Sequence, residues 1–478
     1  MKESGHRQKY SAMQLNHFAP ATALLAAVAI LAGCNTTPPP LQPNPDIELP
    51  DQWTSVVPAS DPQTAWLNDF NDPELNQLVA EALAHNADLQ VASARFAQTL
   101  AEAGLIRADR RPSANLGLDA NRQKINSIGP QSIDSAYFNN YQLGLAVSWE
   151  IDLWGKLRDQ GSAALAQTEA GAAELLQIKQ SLAAQIVKNW FDYTTAQAQL
   201  RLAKDTADTY EKNQQAMETR FQSGLTPALD LHRIRTQTAL STAQIETAQR
   251  RLNAVARSLE TLLGRYPSAS ITPNDTLNDL PSAIPAGLPA DLLQRRPDLI
   301  AAERRLSAAD KNVSAAKKAR LPAISLTGTG GTRSDEFNDL LDTNFSVWSL
   351  AGNLAQPLYQ GGRIKANIER SAALRDQARA QYRQTALRAF REVETTLAAE
   401  SYLQREYELQ SLAAEQAEAA ENLAWKRYRD GTTPFTDALE SQRTVNSVQT
   451  NLITLRNQLL QNRIDLYLAL GGPFQNSL

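Results

Sequence analysis

The segment RFQSGLTPALD, residues 220–230, returns as RYRDGTTPFTD at residues 427–437. The offset between the two segments continues without a gap to Gly264 in the first copy and to Gly471 in the second. Each copy places a glycine shortly before a Thr-Pro pair, which is typical of a tight turn between two helices. The repetition predicts one local architecture that the chain builds twice.

A second matched pair lies upstream of the first. Residues 85–112, which begin HNADLQ, align with residues 295–322, which begin RRPDLI. The repeated unit is far longer than the repeat of a solenoid protein. We therefore interpret the chain as a duplicated half-protein, with structural repeats at residues 63–280 and 281–478.

A short apolar segment near the N-terminus predicts export. Lys2, Arg7 and Lys9 precede an apolar run at residues 19–32, and small residues follow it. This order of charged, apolar and small residues is typical of a cleaved signal peptide, and the run is too short to remain as a spanning helix. The sequence predicts a signal peptide over residues 1–33.

Cys34 directly follows the predicted signal peptide and is the single cysteine of the chain. An intramolecular disulfide is therefore excluded. The sequence LAGC that ends at Cys34 resembles the bacterial lipobox, which implies a covalent N-terminal lipid such as palmitate on this residue, and no other cofactor is expected. Asn35 stands where an aspartate would hold a lipoprotein in the inner membrane, so the outer membrane is favoured. The proline-rich residues 34–62 are expected to form an extended tether.

The charge of the chain is balanced. The formal net charge is -4 and both signs are mixed throughout the sequence, which removes the electrostatic case for nucleic-acid binding. After the predicted signal peptide, no apolar run approaches the length of a spanning helix. If the mature chain crosses a membrane, it must do so as a closed sheet of strands.

Alternation of apolar and polar residues predicts strands in both halves. It is clearest from Tyr141 to Leu153, and strands are expected at about 113–123, 138–153, 322–332 and 344–357. In the last of these Ser349 interrupts one face and Gly352 the other. Aromatic residues cluster around the strands, as they do at membrane interfaces, although strand propensity accounts for some of them. Four strands cannot close a barrel, so the sequence leaves either two small soluble hairpins or several chains that share one barrel.

Two stretches without internal breaks predict long helices. Residues 155–223 and 361–430 are dense in strong helix formers, and a continuous helix of this length is about 100 Å long. We expect helical hairpins at 155–264 and 361–470, each with a returning helix of coiled-coil periodicity. The predicted fold class is mainly α with a β part, built from four long helical segments and four strands.

The sequence also predicts which residues end one helix and begin the next at each turn. Gly224 and Gly431 suit the left-handed backbone that ends a helix. Thr226-Pro227 and Thr433-Pro434 are expected to supply an N-cap and a first-turn proline to the returning helices.

Several segments together resemble the outer membrane factors, the TolC-like family, and within it the lipoprotein branch of the NodT and OprM type. They are LAGC at 31–34, DLWGKLRD at 152–159, RRPDL at 295–299, the RxxxG tips at 220–224 and 427–431, and LGGP at 470–473. The resemblance covers essentially the whole mature chain. It implies a homotrimer in the outer membrane, in which a shared twelve-stranded β-barrel continues into a helical tunnel across the periplasm.

The resemblance also implies a role and partners. The chain would be the passive exit duct of a tripartite efflux system for drugs or other small toxic solutes. Its partners would be a periplasmic adaptor and an inner-membrane transporter, most often of the RND type, together with outer membrane lipid. A lipid-anchored periplasmic coiled-coil adaptor or scaffold is the alternative, although the lipoyl-like and barrel modules that usually flank an adaptor hairpin are not found.

Candidate site residues lie at the two turns. By resemblance, Asp437 and Glu440 are expected to line the periplasmic aperture, with Asp230 a weaker candidate, although a carboxylate near a helix N-terminus is also stabilising by about 0.3–1 kcal/mol. The residues expected to dock the adaptor are Arg220, Phe221, Gly224, Leu225, Thr226, Arg427, Tyr428, Gly431 and Thr432. Only His85 and His232 remain after the signal peptide, far apart in sequence, so neither a metal site nor an enzyme is expected.

Overall fold

The computed structural model of the chain describes residues 70, 72–126, 136–271 and 292–472. The predicted signal peptide, Cys34 and the proline-rich tether lie outside the described residues. The chain divides into two units, Met1–Gln42 and Pro43–Leu478, and every described residue belongs to the second unit.

Helices dominate the described residues, and a small sheet accompanies them. The helices are α1 (Pro73–His85), α2 (Ala87–Ala108), α3 (Lys156–Gln222), α4 (Ala228–Leu262), α5 (Leu292–Arg295), α6 (Pro297–Lys318), α7 (Arg363–Arg429) and α8 (Phe435–Ala469). The strands are β1 (Ser113–Ile125), β2 (Ala136–Ile151), β3 (Ala323–Ser334) and β4 (Ser346–Ala355). The predicted class, mainly helical with a small β part, is confirmed. Within the described ranges, no helix combines the length and the apolarity needed to cross a membrane.

The duplication is visible in the lengths of the helices. The helices α3 and α7 have 67 residues each, and α4 and α8 have 35 residues each. The shorter helices α2 and α6 have 22 residues each. Because matching helices have equal lengths and follow one another in the same order, the two halves repeat one arrangement of helix, strand pair, long helix and returning helix.

The sheet is antiparallel with the strand order β1-β2-β3-β4. Its register brings apolar side chains of all four strands onto one face. Leu116 lies opposite Leu145, Trp149 opposite Leu326, and Ile324 opposite Leu354. The opposite face is polar, because side chains alternate between the faces of a strand.

The register also accounts for the two apparent interruptions in β4. Ser349 lies on the polar face, where its hydroxyl hydrogen-bonds that of Thr329 at 2.7 Å. Gly352 lies on the apolar face opposite Leu326, and a side chain at this glycine would contact that leucine. Neither residue therefore breaks the two-faced character of the sheet.

Two tryptophans join the sheet to the helices. The indole of Trp149 donates to the carbonyl of Arg110 at 3.0 Å, and that of Trp154 donates to the carbonyl of Pro322 at 2.8 Å. Both acceptors lie in the short links that lead from a helix into a strand. These two indoles thus hold the helix-to-strand links of both copies, a structural task that the clustering of aromatics did not reveal.

The start of α3 is fixed by a carboxylate. Asp152 accepts hydrogen bonds from the backbone N–H groups of Leu157 at 3.0 Å and of Arg158 at 2.7 Å. These groups belong to the first turn of the helix, whose N–H groups have no partner within it. The carboxylate therefore compensates for the left-handed Gly155, which precedes the helix and offers no side-chain cap.

The helices pack side by side in two rows. One row runs α2, α3, α6, α7, and a second runs α4, α3, α8, α7. The outer members are α2 and α7 in the first row and α4 and α7 in the second. The largest apolar core lies where the rows meet, and α1 packs there against α3.

A matched joint connects the rows in each half. In the first half, the amide of Asn86 donates to the carbonyl of Leu262 at the end of α4, at 2.9 Å. In the second half, Arg296 occupies the equivalent position and donates to the carbonyl of Ala469 at the end of α8, at 3.1 Å. The returning helix of each hairpin therefore ends against the start of the helix that leads back to the sheet.

Glycines permit the close contact at these joints. A side chain at Gly264 would meet the carbonyl oxygen of His85 at 2.6 Å, and one at Gly471 would meet the backbone of Arg295 at 3.1 Å. Both glycines also have left-handed backbone, with φ of 76° and 68°. Only glycine satisfies both requirements without strain.

The predicted role of the Thr-Pro pairs was wrong. The helices α4 and α8 begin one residue after the proline, at Ala228 and Phe435, and Pro227 and Pro434 occupy the cap positions without a side-chain hydrogen bond. Because proline at the cap position holds the extended backbone, the threonine lies one residue too early to cap the helix. Thr226 is instead buried within the turn.

Candidate functional site

The two hairpin turns have the same backbone. We call residues 220–230 tip 1 and residues 427–437 tip 2. In tip 1 the N–H of Leu225 donates to the carbonyl of Arg220 at 2.9 Å, and in tip 2 the N–H of Thr432 donates to the carbonyl of Arg427 at 3.0 Å. Together with a glycine in the left-handed region, these bonds form the motif that closes the C-terminus of a helix.

An aromatic cluster packs the two hairpins together beside the tips. Phe435, at the start of α8, is only 1% exposed. Its ring lies 5.6 Å from that of Tyr428 and 6.2 Å from that of Trp425, and the last two are 6.0 Å apart. Buried residues of the first hairpin complete this core, namely Tyr210, Met217, Leu231 and Ile234.

Tyr428 also makes polar contacts across the hairpins. Its hydroxyl hydrogen-bonds the sulfur of Met217 at 3.1 Å. The guanidinium of Arg220 lies over the Tyr428 ring, 5.4 Å from its centroid, within the range of a cation–π interaction. Two of the candidate docking residues, Arg220 and Tyr428, are therefore engaged with each other inside one chain.

The other candidate docking residues at the tips project outward. Phe221 is 40% exposed and Leu225 is 69% exposed. Arg427 and Thr432 are also exposed, as are the two tip glycines. Thr226 is the exception because it is buried. The structure therefore divides the predicted docking set into an outward-facing group and a group that holds the hairpins together.

The three candidate aperture carboxylates have different surroundings. Asp230 forms an ion pair with Arg233, one turn along α4, at 3.3 Å, and its side chain is 18% exposed. At the equivalent positions of α8 the chain has Asp437 and Glu440, so an aspartate and arginine pair is replaced by two acids. Glu440 is 74% exposed and has only a long contact of 3.9 Å to Arg443. Asp437 is exposed and has no ion-pair partner in the part of the chain that the structure describes.

A second ion pair distinguishes tip 1. Arg235 donates two hydrogen bonds to Glu218, at 3.1 and 2.9 Å. The equivalent residues next to tip 2 are Gln442 and Trp425, and Trp425 belongs to the aromatic cluster. The hydrogen bond from Arg235 lowers the pKa of Glu218 below its usual range.

Sequence reasoning missed the aromatic cluster. Trp425 stands at the position of Glu218 in the first copy, and Phe435 at the position of Ala228. A comparison of the two copies at these positions would have revealed that the second hairpin has two additional aromatic residues. Met217 carried no such signal, because its contact with Tyr428 depends on how the hairpins pack.

The family model described as outer membrane efflux protein matches residues 78–265 and 288–472. The chain belongs to the outer membrane efflux protein family. The two matched ranges correspond closely to the two copies of the repeat, so each copy matches the family model.

Relatives place the family in efflux pumps. The probable efflux pump outer membrane protein SepC of Pseudomonas putida is 30% identical over 416 residues, which cover 87% of each chain. The probable outer membrane lipoprotein SilC of Salmonella typhimurium is 28% identical over 94% of this chain and 97% of its own. The structure of the outer-membrane channel OprN is similar with a TM-score of 0.81 and 30% identity, over 90% of this chain and 99% of that one.

The efflux family assignment settles location and general role. The chain is an outer membrane protein of an efflux system, as expected from the resemblance noted in its sequence. The coarse fold, mainly helical with a small sheet, agrees with that of its structural neighbour.

Proposed function

We propose that three copies of this chain form an outer membrane channel, the passive exit duct through which an inner-membrane pump expels drugs or other small toxic solutes. Each copy contributes four strands to a shared twelve-stranded β-barrel, and the long helices continue the barrel as a tunnel. The observation that carries this proposal is the sheet, which has a continuous apolar face exposed to the surroundings.

The exposure of this face is extensive. All residues of β1 and β4 are exposed. Leu116 is 74% exposed, Trp348 82% and Leu350 75%. A water-soluble sheet buries its apolar face against a core, whereas a membrane barrel directs it toward lipid. The short helical turn Phe337–Leu341 lies against one end of this face, where the ring of Phe337 packs on that of Tyr141. Since no described element covers the rest of the face, lipid is the partner that fits it.

Open edges support assembly of several copies. The strands β1 and β4 are the edges of the sheet, and unpaired edges of this length are normally protected in soluble proteins. The outer helices of each packing row also expose large apolar residues, among them Leu105 of α2, Leu240 of α4 and Tyr402 of α7. A ring in which β4 meets β1 of the next copy, and α7 meets the next α2 and α4, covers all of these edges at once.

A pair of lysine substitutions tests the orientation of the sheet. Leu350 and Ser349 are neighbours in the middle of β4 and lie on opposite faces. Leu350→Lys is expected to cost about 2–4 kcal/mol, because a lysine on the lipid face near the midplane is destabilising. Ser349→Lys adds the same charge to the face that would line the water-filled pore.

The measurement is the amount of heat-sensitive trimer in outer membrane fractions. We expect Leu350→Lys to lose most of the trimer and Ser349→Lys to retain it. Equal amounts for both variants, or loss in Ser349→Lys alone, would contradict the proposed orientation.

The aperture is proposed to lie at tip 2. In a threefold assembly, Asp437 and Glu440 would contribute six carboxylates around one axis, with Asp230 farther from it. This assignment is supported by the absence of an ion-pair partner for Asp437 among the described residues and by the long contact of Glu440. Like charges at short range disfavour one another and attract cations, so the ring would favour cation passage.

The tips are also proposed to dock a periplasmic adaptor, which links the channel to an inner-membrane transporter of the RND type. The outward residues Phe221, Leu225, Arg427 and Thr432, with Gly224 and Gly431 between them, support this role because the fold of one chain leaves them uncovered. Gly431→Lys is expected to abolish transport while trimers assemble, since open space surrounds this glycine and the strain of its left-handed backbone, with φ of 72°, is confined to the turn.

Gly431→Asn is the matched control for this substitution, because asparagine tolerates left-handed backbone better than other residues. Transport and copurification of the adaptor are measured for both variants. Normal efflux in Gly431→Lys would contradict docking at this tip.

Cys34 is proposed to carry the lipid that anchors the N-terminus to the outer membrane. The lipobox and the name of SilC as a lipoprotein support this proposal. Cys34→Ser should remove incorporation of labelled palmitate into the protein. Undiminished labelling of that variant would contradict lipid attachment at this residue.

A further inference from the structure

An open cavity lies beside the second joint, and the proposed channel function does not require it. The cavity has a volume of about 570 Å³ and lies beside Arg296, where α8 ends against the start of α6. The helices α3 and α7 form its other walls. Its volume is within the range of cavities that hold small organic molecules, and it is several times larger than a single inorganic ion needs.

Each acid at this cavity has a cationic partner. Arg296 contacts Asp298 and Glu392, each at 2.8 Å, and is largely buried. Burial opposes the charge of Arg296, but hydrogen bonds to the two carboxylates outweigh it and raise its pKa. Asp465 is paired with Lys188 at 2.5 Å. The carboxylates that line the cavity therefore have cationic partners.

Two arginines at the cavity have no such partner. Arg388 and Arg391 lie three residues apart on α7 and both line the cavity, so their side chains are neighbours on one face of the helix. Both are exposed, and among the described residues neither guanidinium has an ion-pair or hydrogen-bond partner. With Lys188 included, four cations and three carboxylates surround the cavity, which gives a formal net charge of +1.

The rest of the lining suits an organic molecule with a polar group. Gln177, Ser181 and Thr395 offer neutral hydrogen-bonding groups, and Pro297 and Leu468 offer apolar surface. A guanidinium matches the geometry of carboxylate and phosphate oxygens and binds them with charge-assisted hydrogen bonds.

We propose that this cavity binds a small organic anion, whose carboxylate or phosphate pairs with Arg388 and Arg391. The first joint is not equivalent, because Asn86 replaces Arg296 there and brings no charge. The inference concerns binding to the assembled protein at equilibrium. A failure of this binding test would therefore not contradict the proposed channel function, and a failure of conduction would not contradict the binding.

The test uses the full chain, solubilised in detergent, and ligand-detected NMR with benzoate as the probe. Wild-type protein should bind benzoate, and benzamide, its neutral analogue, should bind much more weakly. Arg388→Gln with Arg391→Gln should lower the affinity for benzoate by about tenfold or more, as expected for the loss of charge-assisted hydrogen bonds.

The matched control is Arg379→Gln with Arg383→Gln, which removes two charges from the same helix outside the cavity. This variant should bind benzoate as the wild type does. A further variant, Thr395→Asp, leaves both arginines in place but adds a carboxylate at the cavity, and it should also weaken binding.

Three results would overturn the inference. They are failure of the wild type to bind benzoate, equal loss of affinity in the control variant, and unchanged affinity in the Arg388 and Arg391 double variant. Inorganic phosphate is the competing probe. If phosphate binds as tightly as benzoate and displaces it completely, the site takes an inorganic oxyanion and the assignment to organic anions is wrong.

Discussion

Tip 1 and tip 2 share one backbone turn but use different side chains to stabilise it. Tip 1 is flanked by two ion pairs, Asp230 with Arg233 and Glu218 with Arg235. Tip 2 is flanked by an aromatic cluster around Phe435, and the acids at its helix start lack a close cationic partner among the described residues.

The difference shows how a duplicated protein can divide its tasks. In tip 1 both acids, Asp230 and Glu218, are paired with arginines of the same chain. Tip 2 obtains its stability from apolar burial, which leaves Asp437 and Glu440 available for another role. Duplication therefore preserved the turn and changed the surroundings of its acids.

The largest expected effect is on the aromatic cluster. Phe435→Ala should destabilise the hairpin pair by about 3–5 kcal/mol, because a buried ring is replaced by a cavity. Hydrogen exchange of the backbone amides at the C-terminal end of α7 and at the start of α8 measures this change. Phe221→Ala, at an exposed ring of tip 1, is the control and should change stability by less than about 0.5 kcal/mol. Similar protection losses in both variants would show that the cluster does not stabilise tip 2.

The next effect concerns conduction. Asp437→Asn with Glu440→Gln should strongly reduce the preference for cations in planar bilayers and move the reversal potential in a salt gradient toward zero, because the proposed ring loses its charge. Asp230→Asn makes the equivalent change in tip 1, where Arg233 already neutralises the acid, and it should leave both quantities nearly unchanged. If the two variants behave alike, the tips do not differ in the way proposed.

A charge substitution can convert tip 2 into a copy of tip 1. Glu440→Arg places an arginine three residues after Asp437, as Arg233 follows Asp230. The new pair should neutralise Asp437, so that cation preference falls further than in Glu440→Gln, which removes one charge only. Reversal potentials in a salt gradient distinguish the variants. No difference between the arginine and glutamine variants would mean that Asp437 lies outside the aperture.

The smallest effect is expected at the ion pair beside tip 1. Because the pKa of Glu218 is lowered in the folded protein, its pairing with Arg235 stabilises the fold above the ordinary glutamate pKa. This contribution is lost as the pH falls through the lowered value. The wild type and Glu218→Gln should therefore differ slightly in thermal unfolding near neutral pH and converge in acid. A difference that grows in acid would contradict this sign.

Local sequence patterns were sufficient to predict the class of fold. Period-two alternation around Trp149 and the helix-ending glycines at positions 224 and 431 depend on short-range rules, and short-range rules can be read from one sequence. The Thr-Pro pairs show the limit of such rules, because a shift of one residue moved the helix start beyond the reach of Thr226.

Other features depend on tertiary packing and had no local signal. Met217 and Tyr428 are 211 residues apart in the sequence, and the sulfur of Met217 contacts Tyr428 only because the two hairpins lie side by side. The cavity at Arg296 likewise needs four helices to form. The aperture, docking and lipidation residues remain predictions of this account.

The most direct test of the central claim is a cryo-electron microscopy map of the full chain in a lipid nanodisc. We expect three copies, with β4 of each hydrogen-bonded to β1 of the next and the apolar face of the closed sheet against lipid. A map in which each copy folds its four strands into a separate module, with edges unpaired and no shared pore, would contradict it.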